Sequence, residues 1–523
     1  MKDKFTEIIQ KGYVFEGESL ILGGAMYENE CLTGTLVQAP LKTFNRHGLI
    51  AGATGTGKTK TLQVVAEQLA AKGVPSLVMD IKGDLSGLAQ PSPGHRKIDA
   101  RHQSIGLPFT PGESTVELLS LSDEPGVRLR ATVTEFGPVL FSKMLGLNDT
   151  QTGVVAVVFK YCDDKKLPLI DLEDFRKVLQ YLTNEGKEEA EAEYGRISTA
   201  SVGAIIRRMI ELEQQGADRF FGELSFDVDD LLRIDDYGRG IISILRLTDI
   251  QDKPKLFSTF MLCLLAEIYS TFPEEGDLDT PKLVIFIDEA HLIFENASDA
   301  LLDQIEAIIK LIRSKGVGIF FVTQNPADIP DEVLGQLGMK VQHALRAFTA
   351  KDRKAIRLAA QNFPESDFYD VEERMTAMGI GEALISVLNE KGIPTPLVHT
   401  MLRAPQSRMD VLTESEIDDI VSSSRLVEEY NQDVNRESAA EILTEKIEEA
   451  QEKKRQEELR EQQEKAAETS SRRHVRGGEE SSLLEELSKN TLVRQVGRTV
   501  ARELTRGLLG VLGVKSRSRR RRR

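Results

Sequence analysis

Cysteine is scarce: Cys31, Cys162 and Cys263 are the only three in 523 residues. They are far apart, odd in number and outside metal-ligand spacing, so neither a disulfide framework nor a cysteine metal site is indicated. A reduced, cytosolic setting is the expectation. Long apolar runs are also missing. No stretch approaches the roughly 18 residues of a membrane span, and the apolar run Leu283–Ile287 has the length of a buried strand. The opening MKDKFTEIIQ lacks the apolar segment of a secretory signal. Positive charge is in deficit too. Lys and Arg total 67 against 83 Asp and Glu, a net charge of −16. That balance argues against a chain coated with nucleic acid, yet leaves room for a locally basic channel, because the field at a site follows the distribution of charge.

What remains is an ordinary globular composition, 40% hydrophobic, in a chain long enough for two or three domains. Residues 1–45 read as a short helix followed by strands at Ser19–Met26 and Leu32–Pro40, a small β-rich region. From residue 46 to about 405 apolar strands alternate with helices. The strands are His47–Ala51, Pro75–Asp80, Ile241–Leu247, Leu283–Asp288, Gly318–Thr323 and Ala383–Leu388, and Lys58–Lys72 carries a helical apolar face. Continuous β-branched runs suit strands buried on both faces of a parallel sheet, and the alternation implies an α/β core. Residues 110–235 interrupt it as a mostly helical insertion. Residues 406–469, rich in Glu, Lys, Arg and Gln, suit an exposed helix or short coiled coil. Residues 470–523 read as a linker, an amphipathic stretch Thr491–Val514 and an arginine tail.

Gly52-Ala53-Thr54-Gly55-Thr56-Gly57-Lys58-Thr59 fits G-x-x-x-x-G-K-[ST] at each fixed position, between a strand and a helix. Glycines let the loop N–H groups converge on phosphate oxygens, and the helix N-terminus adds to that field. Lys58 is placed to reach the β and γ phosphates and Thr59 to ligate Mg2+. The apolar strand ending in Asp288-Glu289 supplies the acidic pair: Asp288 for the magnesium shell, Glu289 to orient and polarise water. Together these imply ATP hydrolysis. Gln324 ends another buried strand, where ligands sit in such sheets. His291 follows the acidic pair as a nucleotide sensor or a packing residue. Arg313, ahead of that strand, is either an arginine finger or a helix C-terminal cation; Arg346, after the strand-like Val341–Leu345, and Arg46, just before the first strand, are further candidates. Asp80-Ile-Lys-Gly-Asp84 closes the second strand, with its carboxylates either at the ATP site or capping a loop.

These motifs together resemble the HerA–FtsK branch of P-loop ATPases, and within it the YjgR-type, HerA-like C-terminal-domain proteins of bacteria. The carrying residues are Arg46-His47, Gly52–Thr59, Asp80–Asp84, Ile287–His291, and Arg313–Ile319 leading into Thr323-Gln324; the likeness covers roughly residues 20–400. It implies a RecA-like core assembled as a hexameric homo-oligomer, with ATP between subunits and Arg313 acting in trans. HerA relatives are DNA translocases or helicases that work with nucleases, FtsK relatives pump double-stranded DNA, and related secretion and conjugation ATPases move protein or nucleoprotein. Two features depart from the pattern. The N-terminal β region is short beside the barrel that docks the nuclease partner of HerA proteins, and the C-terminal extension is additional. The arginine tail suits DNA or RNA phosphates, an anionic membrane, or a solvated tail folded onto the acidic helices. The leading expectation is an ATP-driven, ring-forming DNA translocase or helicase. An ATP-regulated assembly protein indifferent to DNA, and a secretion-type protein-moving ATPase, stand beside it.

Overall fold

The computed structural model describes residues 1–249, 253–276, 278–294, 299–432, 434 and 436–474. Within them, twelve strands form one sheet: β1 (Ser19–Tyr27), β2 (Glu30–Pro40), β3 (Gly48–Ala51), β4 (Ser76–Asp80), β5 (Val116–Ser120), β6 (Val127–Arg128), β7 (Ile242–Arg246), β8 (Leu283–Ile287), β9 (Val317–Thr323), β10 (Met339–His343), β11 (Glu382–Ser386) and β12 (Val398–Leu402). Their order is β2-β1-β12-β11-β10-β3-β9-β8-β4-β7-β5-β6. From β10 to β6 every pairing is parallel. From β10 to β2 every pairing is antiparallel.

The parallel part is buried on both faces because alternate residues feed two different cores. Leu283, Ile285 and Ile287 enter one, with Val317, Ile319 and Phe321. Val284, Phe286, Phe320 and Val322 enter the other. A strand apolar at every position needs cover on both sides, and helices provide it. The helix Lys58–Ala71 lies on the second face through Leu62, Val65, Ala66 and Leu69. Helices of the 110–235 segment (Val133–Met144, Asp149–Lys165, Leu172–Thr183 and Thr199–Glu213) extend the first. Thr132 with Glu135, Asn148 with Gln151, and Asp171 with Asp174 form reciprocal caps that fix where three of them begin.

Three placements differ from the sequence expectation. The 110–235 segment also contains β5 and β6, which extend the parallel sheet beyond β7. The strand at 382–386 is antiparallel to its neighbour β10. The physical reason is local: the chain leaves β10 and re-enters β11 at the same edge of the sheet, beside the loop 52–57, so it must run back. The N-terminal strands join this sheet through β1 and β12. Their hairpin turns at Glu28-Asn29, both with positive φ, the geometry that matches strand twist in two-residue hairpins.

Two compact units result, Met1–Thr444 and Glu445–Arg523. The first runs past residue 405, because the segment after β12 crosses back over the helix Lys58–Ala71: buried Glu67 accepts N–H bonds from Gln406 and Ser407, and Lys60 Nζ donates to the Met409 carbonyl at 2.7 Å. Of the second unit, the described part is the outer length of the helix Ala439–His474, solvent-exposed through residue 464 apart from half-buried Ile447. The amphipathic stretch at 491–514 and the arginine tail lie outside the described residues. No described helix is long and apolar enough to cross a membrane.

Candidate active site

Parallel strands present their C-terminal ends at one edge, and the order β3-β9-β8-β4 decides what meets there. At about 4.8 Å per strand, four strand ends bring together the loop 52–57, Gln324, the pair Asp288-Glu289 and the turn 81–84.

The loop needs its glycines. Gly52, Gly55 and Gly57 have φ of +155°, +76° and +113°, and a Cβ on Gly52 would lie 2.5 Å from the Cβ of His343 beneath it. The loop is tied to three neighbouring segments. Gly52 N–H donates to the Thr323 carbonyl (3.2 Å), Ala53 N–H to that of Ala344 (2.9 Å), and the Thr56 carbonyl accepts from Gly381 N–H (2.9 Å). Thr56 Oγ1 also donates to the Ala53 carbonyl at 2.7 Å. Thr54 and Gly55 at the tip are exposed, and half-buried Thr59 follows in the first turn of the helix. That helix begins without a side-chain cap, so its first N–H groups face the loop edge as donors for an anion. Lys58 is buried and donates to the carbonyls of Gly52 (2.7 Å) and Ala53 (3.4 Å). Burial first, and then the nearby Lys82 cation, lower its pKa.

Asp288 and Glu289 are 2% and 5% exposed, so their state is set by neighbours rather than by water. Burial pushes Asp288 up to about 7 against the pull of Lys82. Burial works on Glu289 in the same sense, but its ion pair with Lys82 outweighs it and holds the carboxylate below its ordinary value. His291 Nδ1 stands 3.2 Å from the other carboxylate oxygen. Glu289 itself takes φ +47°, a sparsely populated conformation for a residue with a side chain.

Lys82 is the residue that sequence reasoning passed over. Its position follows from Asp80, whose carboxylate accepts from the N–H groups of Gly83 (2.7 Å), Asp84 (3.2 Å) and Leu85 (3.0 Å). Asp80 thus folds the turn back on itself, with Gly83 at φ +75°, and Lys82 is thrown across β4 onto the end of β8. The signal in the sequence was a lysine between two strand-end aspartates, read only for its carboxylates.

Gln324 is exposed beside the loop, its Oε1 at 3.5 Å from Thr54 Oγ1. Arg313 opens the turn Arg313–Lys315 that precedes β9, at the opposite end of the strands. Seven residues of β9 separate it from Gln324, about 23 Å. Arg46, just ahead of β3, lies at that opposite end as well. Arg346 follows β10 at the loop's own edge and donates to the Thr376 carbonyl at 3.0 Å.

The donor set fits a magnesium nucleotide. Asp288 Oδ2 and Asp84 Oδ1 are buried without a hydrogen-bond partner, oxygens of the kind a hard cation takes. No group of three or more His, Cys, Asp and Glu suited to a metal occurs among the described residues. Magnesium needs none, since it is held by one or two protein oxygens together with phosphate and water.

Comparison with known proteins places this arrangement. Over residues 28–517 the chain matches the family described as helicase HerA-like C-terminal. It is 22% identical over 358 residues to the DNA double-strand break repair helicase HerA of Saccharolobus solfataricus, an alignment spanning 67% of this chain and 63% of that one. It is 21% identical over 384 residues to the HerA of Sulfolobus acidocaldarius, covering 69% and 66% respectively. The chain therefore spans just under two thirds of the length of these relatives. Among solved structures, the bacterial conjugative coupling protein TrwB, lacking its first 70 residues, superposes with a TM-score of 0.50 at 14% identity, over 78% of this chain and 95% of that one. That likeness shows the fold alone, a RecA-like core with a mostly parallel sheet. With the match running across most of its length, the chain belongs to the helicase HerA-like C-terminal family of the HerA–FtsK class.

Proposed function

We propose that this protein is an ATP-hydrolysing motor that works as a homo-oligomeric ring, a hexamer by family resemblance, and acts on DNA as a translocase or helicase. The observation that carries the ATPase reading is the meeting, at one sheet edge, of the loop 52–59 with two buried acids. In this reading the loop Gly52–Gly57 cradles the ATP phosphates: the N–H groups of Gly52, Ala53 and Thr56 fix the loop itself, those of Thr54, Gly55 and Gly57 turn to phosphate oxygens, and Lys58 transfers its bonds from loop carbonyls to phosphate oxygens. Thr59 and Asp288 hold Mg2+, which neutralises charge on the phosphates when bound. Glu289, kept ionised by Lys82, orients and takes a proton from the attacking water, and Gln324 positions water or γ-phosphate. Oxygens and donors already fixed by the fold need little reorganisation at the moment of reaction.

Arg313 enters this reading in trans. It stands about 23 Å of strand away from its own chain's site, so an arginine-finger role is open to it only toward a second copy. DNA enters from the relatives, which are named double-strand break repair helicases.

The test is ATP turnover of the purified chain with and without double-stranded DNA, alongside Arg313→Ala mixed with Lys58→Ala. Stimulation by DNA, and recovery of activity on mixing two inactive variants, are the expected results. Steady turnover indifferent to DNA would replace the motor with an ATP-regulated assembly protein. Absence of recovery on mixing would remove Arg313 from the shared site.

A further inference from the structure

The segment 344–381, between β10 and β11, is a small lobe with its own core of Ala344, Leu345, Ile356, Ala359, Met375 and Met378. It carries the helix Ala350–Gln361, begun by Thr349 and Asp352 in a reciprocal cap. In an acidic chain of net charge −16, residues 346–357 hold five cations against one acid, net +4. Their spacing on a 3.6-residue helix puts Ile356 and Ala359 on the buried face and Lys351, Arg353, Lys354 and Arg357 across the opposite arc, and all four are exposed. Arg357 approaches Glu372 at 3.6 Å. No ion pair holds Lys351, Arg353 or Lys354 among the described residues. The one acid on the helix, Asp352, is turned back to accept from the N–H groups of Phe348 and Thr349. Just ahead of the helix, the Phe348 side chain stands 86% exposed. The ring therefore stands free at the edge of the row of cations.

Both ends of this lobe are tied to the phosphate loop: Ala344 accepts from Ala53 N–H and Gly381 donates to the Thr56 carbonyl, each at 2.9 Å. Arg101 fastens the same end, donating to the carbonyls of Ile380 and Gly381 at 3.0 and 2.9 Å. Anything that moves the loop therefore pulls on both ends of the lobe.

From this we infer that the lobe 344–381 is the surface that grips the nucleic-acid strand, with Lys351, Arg353 and Lys354 on backbone phosphates and the Phe348 ring stacked on a base. Charge complementarity favours a polyphosphate backbone over a protein partner, and the ring gives an exposed base a face to stack on. The tie to the loop makes grip and nucleotide occupancy interdependent, each changing the other's affinity by the same factor. This inference rests on the DNA-motor reading above.

The test is binding of a fluorescein-labelled single-stranded 30-mer and its duplex to the full chain, by anisotropy across a salt series, with ATP turnover measured in parallel. Three reversals together, Lys351→Glu, Arg353→Glu and Lys354→Glu, are expected to weaken binding and to reduce the slope of log Kd against log salt by about 2–3. Basal turnover without DNA is expected to stay at the parent level, which also shows that the variant folds, while stimulation by DNA is lost. Phe348→Ala is expected to weaken the single strand by roughly 5- to 100-fold and the duplex much less. If the parent binds DNA and the triple variant binds it with the same affinity and slope, the lobe is not the grip although the motor reading stands. If the parent neither binds nor responds to DNA, the motor reading falls and this inference with it.

Discussion

Acidification from pH 7 to pH 5 acts on this fold through two buried histidines, His47 and His343. His47 is fully buried between two backbone partners: its Nδ1 accepts from Ile319 N–H at 3.0 Å, which leaves Nε2–H to donate to the Ile309 carbonyl at 2.9 Å. A second proton would set one N–H against another. Burial holds His47 down at about 4, with Arg313 adding to the effect. His343 lies under the phosphate loop, Nε2 at 2.9 Å from Thr61 Oγ1, and burial with the Lys58 charge holds it at about 3. Both folded values lie below the ordinary 6.5, so the unfolded chain takes up the protons, and the stability these groups contribute is complete above about pH 6.5 and is lost as pH falls toward 4 and 3. At pH 5 that loss is about 2 kcal/mol for each group, about 4 kcal/mol for both. Asp80 and Asp288, raised by burial to about 6 and about 7, push stability the other way over the same window. The quantity to measure is therefore the difference between the parent and the variants His47→Gln and His343→Gln, by urea unfolding followed by circular dichroism at pH 7 and pH 5. Each variant is expected to lose about 2 kcal/mol less than the parent on acidification. Parent and variant curves that stay parallel between the two pH values would refute the reasoning.

Three other outcomes follow from the site. Lys58→Ala is expected to abolish ATP turnover, whereas Glu289→Gln keeps nucleotide binding and lowers turnover by about 100-fold or more; a phosphate-release assay beside fluorescent-nucleotide binding separates the two. Lys82→Met leaves Glu289 without its cation and is expected to cut turnover by roughly 10- to 100-fold at little change in nucleotide affinity, with partial recovery in Lys82→Arg; unchanged turnover in Lys82→Met would remove the lysine from the reaction. Gly52→Ala forces a Cβ to 2.5 Å from that of His343 and is expected to cost about 1–3 kcal/mol in denaturant unfolding, with loss of nucleotide binding in the same preparation.

The local chemistry was legible because it is written in consecutive residues. A loop whose glycines take positive φ, a lysine and a threonine at its end, and an apolar strand closed by two acids are all short-range patterns. So are the buried strands, since runs such as Leu283–Ile287 are short, wholly apolar and rich in β-branched and aromatic residues. β12 and the pair β5 and β6 escaped: the latter lie in a segment whose helical content dominates its composition, and β6 is two residues long, too short for any period to register.

Sequence by itself thus determined the glycine-rich loop between a strand and a helix, the apolar strand closed by two acids, and that the strands are covered on both faces, because propensity, spacing and hydrophobic pattern are properties of neighbours along the chain. Tertiary structure alone decided their company. β9 and β8, which follow β4 in the chain by more than 200 residues, insert between β3 and β4 in space, and only that order sets Gln324 beside the loop and Lys82 on Glu289. The same is true of the lobe 344–381, whose two ends meet at the loop 52–57. Such neighbours are fixed by the net free energy of packing the whole sheet, a sum over contacts distant in sequence, and no local pattern carries it.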